Sequence, residues 1–123
     1  MAKTALIAES SKPFLEALTG ALSLLGFTVV GTTPKRSEVV ALAQETKPDL
    51  LIFDCHMSGG ETTGFSDLQR LKEQIPEMKI IALGHHENME GVLERFLNLG
   101  FHGYWNKYDN WAGLLKQLGL LFP

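Results

Sequence analysis

The sequence is poor in the features that mark several large classes of protein. It has a single cysteine, Cys55, so it forms no internal disulfide and has no cysteine pair with zinc-site spacing. The apolar run at residues 5–8 is far shorter than a signal-peptide core or the ~20 apolar residues of a membrane span. Eleven Lys and Arg stand against fourteen Asp and Glu, with no basic run longer than Lys35-Arg36. We therefore expect a cytoplasmic protein with no direct nucleic-acid partner and no membrane partner.

The chain has enough apolar material to build one folded core. Hydrophobic residues make up 45% of its 123 residues and charged residues 20%. A typical domain has about 100 to 200 residues, so two full domains do not fit. We expect residues 1–123 to form a single domain.

Short apolar runs alternate with longer segments whose apolar residues follow helical spacing. The runs are Ala5–Ala8, Phe27–Val30, Leu50–Phe53, Ile80–Leu83 and Phe101–Trp105. Four of them lack polar alternation, which is typical of strands that helices cover on both faces. The pattern predicts five strands in a parallel sheet.

Capping residues and helix breakers mark the segments between these runs. Ser11 precedes the first helix as an N-cap and Gly26 ends it. Thr33-Pro34 predicts an N-cap followed by proline at the first position of the second helix, which Lys47-Pro48 ends. The other three helical stripes are Leu68, Leu71 and Ile75; Val92, Leu93, Phe96, Leu97 and Leu99; and Trp111, Leu114, Leu115 and Leu118. Five helices alternating with five strands predict an α/β fold with a doubly wound sheet.

Two charged residues stand at the ends of predicted strands. Asp54 ends the third apolar run, and Lys107 follows the fifth. In a doubly wound sheet, ligands bind beyond the carboxyl ends of the strands, so these groups are predicted to meet at the functional edge. A structural ion pair, or two solvated strand ends, is the alternative interpretation.

Three segments resemble the receiver domain of two-component response regulators, which has the CheY-like fold. They are ALIAES at residues 5–10, PDLLIFDCHM at 48–57 and GFHGYWNK at 100–107. Each is weak alone, but together they span essentially the whole chain, and the likeness is greatest to receivers that precede helix-turn-helix output domains. The resemblance implies a (βα)5 fold with strand order 2-1-3-4-5 and a role in phosphorelay signalling with a sensor histidine kinase or another signalling protein.

The resemblance also implies roles for single residues. Asp54 matches the phosphoacceptor aspartate, Lys107 the lysine that pairs with the phosphoryl group, and Tyr104 the aromatic residue of the switch. The family's Mg²⁺ ligands would correspond to Glu9, Asp54 and the main-chain carbonyl of His56.

Two positions depart from the family pattern. Ser10 stands where the second residue of an acidic pair is expected, and Gly84 stands where a Thr or Ser hydroxyl is expected. Mg²⁺ sites usually use one or two carboxylates, so loss of a carboxylate should weaken binding and slow phosphoryl transfer. The loop at residues 58–64 is also longer than in typical members of the family. Neutral sequence change would explain the extra length, because surface loops tolerate insertions.

Three functions remain open from the sequence. The first is an atypical receiver that acts as a protein-interaction module, with weak or absent phosphorylation and at most slow self-phosphorylation and dephosphorylation. The second is a working receiver phosphorylated at Asp54 with Mg²⁺. The third is a flavodoxin-like domain that binds a small molecule or a metal; Cys55, His56, His85 and His86 supply ligand types for zinc, although no phosphate-binding glycine motif supports this reading.

The C-terminal part of the chain is rich in apolar residues. Phe96, Trp105, Trp111 and the ending LGLLFP at residues 118–123 lie on the fourth helix, the fifth strand and the fifth helix. Most of this surface should be core, and the resemblance makes the rest a face for a homodimer or a partner.

Overall fold

Five strands and five helices alternate along the part of the chain that the structure describes. A computed structural model describes residues 3–55, 66–84, 92–107 and 109–123. The elements are β1 (Lys3–Ala8), α1 (Lys12–Leu24), β2 (Phe27–Thr33), α2 (Val39–Thr46), β3 (Leu50–Asp54), α3 (Ser66–Gln74), β4 (Lys79–Gly84), α4 (Val92–Asn98), β5 (Gly103–Asn106) and α5 (Trp111–Leu121), with a 3₁₀ turn at Arg36–Glu38 before α2.

The strands form one parallel sheet with the order β2-β1-β3-β4-β5. This confirms the predicted doubly wound α/β fold and its strand order. In the register, Ala8 lies opposite Phe53, and Gly84 lies opposite Asn106. The carboxyl ends of β1, β3, β4 and β5 therefore lie along one edge of the sheet.

Helices cover both faces of the sheet. One core lies under α1 and α5 and contains Ile7, Leu18, Ile52, Leu114 and Trp105 among its buried residues. The other lies under α2, α3 and α4, with Leu6, Phe53, Leu71, Ile80 and Phe96 among its buried residues. Successive strand residues point to opposite faces, so a strand between two helical layers has to be apolar at every position.

The central and edge strands show this rule directly. All five residues of β3 are buried, whereas β2 at the sheet edge alternates between buried and more exposed positions. The apolar runs were therefore a reliable guide to the strands that lie inside the sheet.

The predicted fifth strand was placed too early. Residues 101–105 were expected to form it, but β5 is Gly103–Asn106. Phe101 lies before the strand, and its apolar ring packs in the core between Phe53 and Phe96, at centroid distances of 5.4 and 5.8 Å. The ring of His102 binds the adjacent strand, since its Nδ1 accepts a hydrogen bond of 3.0 Å from the amide of Ile80.

The predicted start of the second helix was also wrong. Thr33 is the last residue of β2, and α2 begins only at Val39. A residue before proline favours an extended backbone, which keeps Thr33 in the strand. Its hydroxyl instead accepts a hydrogen bond of 3.0 Å from the amide of Lys35 and donates one to Glu38, so it stabilises the 3₁₀ turn.

The other predicted helix ends agree with the structure, with one difference in detail. Ser11 is the N-cap residue of α1, but its side chain makes no capping hydrogen bond. Gly26 and Gly100 follow α1 and α4 with φ angles of +92° and +91°, which glycine adopts at low cost. Among the described residues, no helix is long and apolar enough to cross a membrane.

Candidate functional site

Three charged side chains come together at the carboxyl edge of the sheet. Glu9 follows β1, Asp54 ends β3, and Lys107 follows β5. The Lys107 ammonium donates hydrogen bonds to both carboxylate oxygens of Glu9, that to Oε2 being 3.1 Å long. It also donates to Oδ2 of Asp54 at 3.4 Å. The expected meeting of Asp54 and Lys107 is thus present, with Glu9 as the lysine's nearer partner.

All three side chains are withdrawn from water. The exposed fractions are 0% for Glu9, 4% for Asp54 and 13% for Lys107. The backbone helps to hold Glu9, because its amide donates to the carbonyl of Thr33 at 3.0 Å and the Ser10 amide donates to its Oε2 at 3.1 Å. The peptide amide of Lys107 donates to the carbonyl of Gly84 at 2.7 Å, so β4 positions the lysine's backbone.

The electrostatics of the cluster keep the lysine charged. Burial raises the pKa of the Glu9 carboxyl and the charge of Asp54 raises it further, while the bond from Lys107 opposes them. Burial alone would lower the pKa of Lys107, but its hydrogen bond to Glu9 and the charge of Asp54 outweigh this and raise it. Two carboxylates and one ammonium together have a formal charge of −1, and this net negative charge attracts a cation.

The aromatic ring of Phe14 also contacts Lys107. The Lys107 ammonium lies 4.7 Å from the ring centre of Phe14, in the first turn of α1. Phe14 in turn packs on Trp105 and Trp111, with centroid distances of 6.0 and 5.6 Å. Phe14 had no predicted part in the site. The signal that could have linked it to the site is the proximity of the first turn of α1 to the end of β1.

The cluster offers a limited set of ligands for Mg²⁺. Glu9 and Asp54 supply two carboxylates, and Ser10, which is exposed, supplies none. The third expected ligand, His56, lies outside the described residues, as does the loop at 58–64. Mg²⁺ commonly binds through one or two carboxylates with water and phosphate oxygens in its other positions. Glu9 and Asp54 are therefore the described side chains that could hold Mg²⁺.

The zinc alternative finds no support in the described residues. Cys55 is half-buried, and its thiol donates to the carbonyl of Leu83 at 3.0 Å. Burial and the charge of the nearby Asp54 raise the pKa of this thiol to about 12, so it is protonated at neutral pH. No group of three His, Cys, Asp or Glu able to hold a metal occurs in the described part of the chain. His85 and His86 lie outside it.

Tyr104, which matches the aromatic residue of the family's switch, lies against Gly84, which stands at the position of the family's hydroxyl residue. Gly84 ends β4, and Tyr104 lies in β5, with its ring stacked on Phe96 at 5.6 Å. A Cβ atom at Gly84 would lie 1.5 Å from the hydroxyl oxygen of Tyr104. Burial raises the pKa of this phenol above its ordinary value.

Comparison with known proteins agrees with this architecture. The sequence model of the response regulator receiver domain matches residues 5–118. The chain is 32% identical over 78 residues to a probable C4-dicarboxylate response regulator, DctR, of Halalkalibacterium halodurans, covering 63% of this chain and 30% of that protein. It is 29% identical over 97 residues to the response regulator GacA of Pseudomonas viridiflava, covering 79% of this chain and 44% of that protein.

A solved structure shows the same fold. The isolated receiver domain of RcsB from Salmonella enterica serovar Typhimurium, determined with the phosphomimetic BeF3⁻, superposes with a TM-score of 0.84 at 23% identity, covering 98% of this chain and 88% of that one. The chain spans less than half of the length of the curated relatives described above. Because the family model covers most of the sequence, this chain belongs to the response regulator receiver domains of two-component signalling.

Proposed function

We propose that this receiver domain acts mainly as a protein-interaction module, with weak or absent phosphorylation at Asp54. The observation that carries the proposal is the pairing of Lys107 with both oxygens of Glu9, against a single contact of 3.4 Å to Asp54. A lysine shared in this way is already neutralised before a phosphoryl group arrives.

The charge of the cluster formed by Glu9, Asp54 and Lys107 supports slow phosphoryl transfer. Phosphoryl transfer depends on positioning and on cationic charge around the equatorial oxygens of the phosphoryl group. When bound, Mg²⁺ supplies part of that charge. With Ser10 in place of a carboxylate, the cluster has a formal charge of −1 rather than −2, so it attracts the divalent cation less strongly.

A working phosphoacceptor is the second candidate, and one observation favours it. Asp54, Lys107 and Glu9 converge from three strands on one buried cluster. In this reading, a carboxylate oxygen of Asp54 attacks the phosphorus of a donor, and the bond from phosphorus to the donor's leaving group breaks, so that the leaving group departs with that electron pair. Lys107 then moves from Glu9 toward the phosphoryl oxygens on Asp54. Glu9 holds the metal with Asp54.

The interaction partner we propose is a sensor histidine kinase or another signalling protein.

A homodimer through the face of α4, β5 and α5 remains a prediction. The exposed side chains of Leu97 and Leu115, at 49% and 43%, support it. Multi-angle light scattering over a wide range of concentration tests it, and a strict monomer at the highest concentration argues against a dimer.

Intact-mass measurement decides between the two candidates. The protein is incubated with acetyl phosphate and Mg²⁺ beside an Asp54→Asn control and a Glu9→Gln variant. The proposal expects little or no phosphoryl adduct on the wild-type chain. Rapid, stoichiometric labelling that disappears in Asp54→Asn would overturn it and establish the second candidate. Labelling that survives in Asp54→Asn would identify a different acceptor and reject both readings of Asp54.

A further inference from the structure

The phenol of Tyr104 occupies the volume that a side chain at position 84 would need. From the place where a Cβ at Gly84 would stand, the Tyr104 hydroxyl oxygen is 1.5 Å away, Cζ is 2.4 Å away and Cε2 is 2.9 Å away. Carbon atoms in van der Waals contact lie about 3.5 to 4.0 Å apart. The ring can therefore hold this position only because residue 84 is glycine.

Neighbouring groups hold the ring and its backbone in place. The ring stacks on Phe96 with an interplanar angle of 23°, and Phe96 packs on Phe101. The carbonyl of Tyr104 accepts a hydrogen bond of 2.8 Å from the side chain of Gln117 in α5, and β5 is paired with β4. With the backbone held on both sides, rotation about the side-chain torsions is the route by which the ring can leave.

We propose that Gly84 fixes Tyr104 permanently against the end of β4, so that the ring does not respond to the state of Asp54. This inference extends the proposed function, since it explains how a receiver can present one constant surface. A side chain at position 84 would compete with the ring for the same space and give two packings. Glycine offers no competitor, and rotation outward would expose the half-buried ring and break its stacking on Phe96.

Fluorine NMR of Tyr104 tests the position of the ring directly. The chain has two tyrosines, so 3-fluorotyrosine incorporated into a Tyr108→Phe background labels Tyr104 alone. Because the ring is half-buried, we expect a smaller shift between H₂O and D₂O than free fluorotyrosine shows. Gly84→Ala should move the resonance and raise its solvent isotope shift toward the value of free fluorotyrosine. An unchanged, buried resonance in Gly84→Ala overturns the proposal.

A double-mutant cycle keeps the test valid if Gly84→Ala loses stability. Removing the ring removes the overlap between the ring and the new Cβ. The decrease in the urea midpoint that Gly84→Ala causes should therefore be roughly twice as large with Tyr104 present as in a Tyr104→Ala background. Tyr104→Phe should not relieve the effect, because Cζ still lies 2.4 Å from the new Cβ. Gly31→Ala in β2 is the matched strand control, where the nearest atom is the Cδ1 of Leu6 at 3.1 Å. Equal costs in both backgrounds overturn the proposal.

A second arm separates this proposal from the proposed function. Mg²⁺ with beryllofluoride is added to the fluorotyrosine-labelled protein, and Trp fluorescence follows binding beside an Asp54→Asn control. If beryllofluoride binds and the Tyr104 resonance stays in place, the proposal that Gly84 fixes the Tyr104 ring is supported, even where the weak-phosphorylation proposal fails. If beryllofluoride binds and the resonance moves, the proposal for Gly84 is overturned. If beryllofluoride does not bind, the Gly84→Ala measurements above decide that proposal.

Discussion

Arg36 holds Asp67 through two parallel hydrogen bonds of 2.8 Å, one from each terminal nitrogen of its guanidinium group. Arg36 lies in the 3₁₀ turn before α2 and is 3% exposed, while Asp67 lies in the first turn of α3 with a side chain 41% exposed. Burial alone would raise the pKa of Asp67, but the bonds and charge of Arg36 outweigh this and lower it. The pair therefore fastens two elements that are 31 residues apart in the sequence.

Breaking this pair should destabilise the fold. Asp67→Asn removes the charge that compensates a buried guanidinium, and a hydrogen bond to a charged group contributes about 1.5 to 3 kcal/mol. Because Asp67 is partly exposed, we expect a loss of about 2 kcal/mol in the free energy of unfolding, measured by urea denaturation. Gln74→Ala is the control: it breaks the exposed Gln44–Gln74 bond of 2.9 Å between α2 and α3 and should cost less than about 0.5 kcal/mol. Equal losses would contradict the prediction.

The two helix caps of the α1/α5 layer should differ in their contribution to stability. Asn110 caps α5 through its Oδ1, which accepts from the amide of Ala112 at 2.9 Å, whereas the Ser11 side chain makes no such bond at α1. Asn110→Ala should lower the free energy of unfolding by about 1 kcal/mol. Ser11→Ala should change it by less than about 0.5 kcal/mol. Thermal unfolding of the two variants checks the difference, and a larger loss for Ser11→Ala would refute it.

The stability of the fold should decline in mild acid through His102. Burial and the charges of Lys72 and Lys79 lower the pKa of this imidazole from 6.5 to about 4. Unfolding therefore takes up a proton between these values, so the stabilisation is complete above pH 6.5 and is lost as the pH falls toward 4. The protonated ring could no longer accept the bond from Ile80.

The variant His102→Asn isolates this effect. Asparagine keeps an acceptor near the position of Nδ1 but does not titrate, so its stability should fall less steeply with pH. We expect a difference in slope of about 1 kcal/mol per pH unit or less, because solvent screens a partly exposed ring. Urea unfolding at a series of pH values measures it. Identical slopes in the two proteins would show that His102 is not the titrating group.

Restoring a carboxylate beside Glu9 should strengthen Mg²⁺ binding. Ser10→Asp brings the formal charge of the cluster from −1 to −2, and we expect the affinity to rise by about tenfold. Trp emission provides the readout, since Trp105 and Trp111 pack on Phe14, which contacts Lys107. Ser11→Asp, one residue further along the chain and also exposed, adds the same charge as a control. An equal rise in both variants would show only a general charge effect.

The sequence by itself determined the order and type of the elements. β3 and β4 were predictable because strands between two helical layers are buried on both faces and therefore read as continuous apolar runs. The meeting of Asp54 with Lys107 was predictable as well, because the carboxyl ends of parallel strands share one edge. The start of α2 was missed because the capping signal at Thr33 serves a 3₁₀ turn instead.

Only the tertiary structure decided how residues distant in the sequence share space. The nearer pairing of Lys107 with Glu9, the bond between Arg36 and Asp67, and the ring of Tyr104 in the place of a side chain at Gly84 all join separate elements. Local propensity and periodicity describe neighbours along one helix or strand, whereas these contacts depend on the register and packing of whole elements at ångström precision. For that reason the sequence identified the charged residues of the site, and the packed fold determined which of them pair.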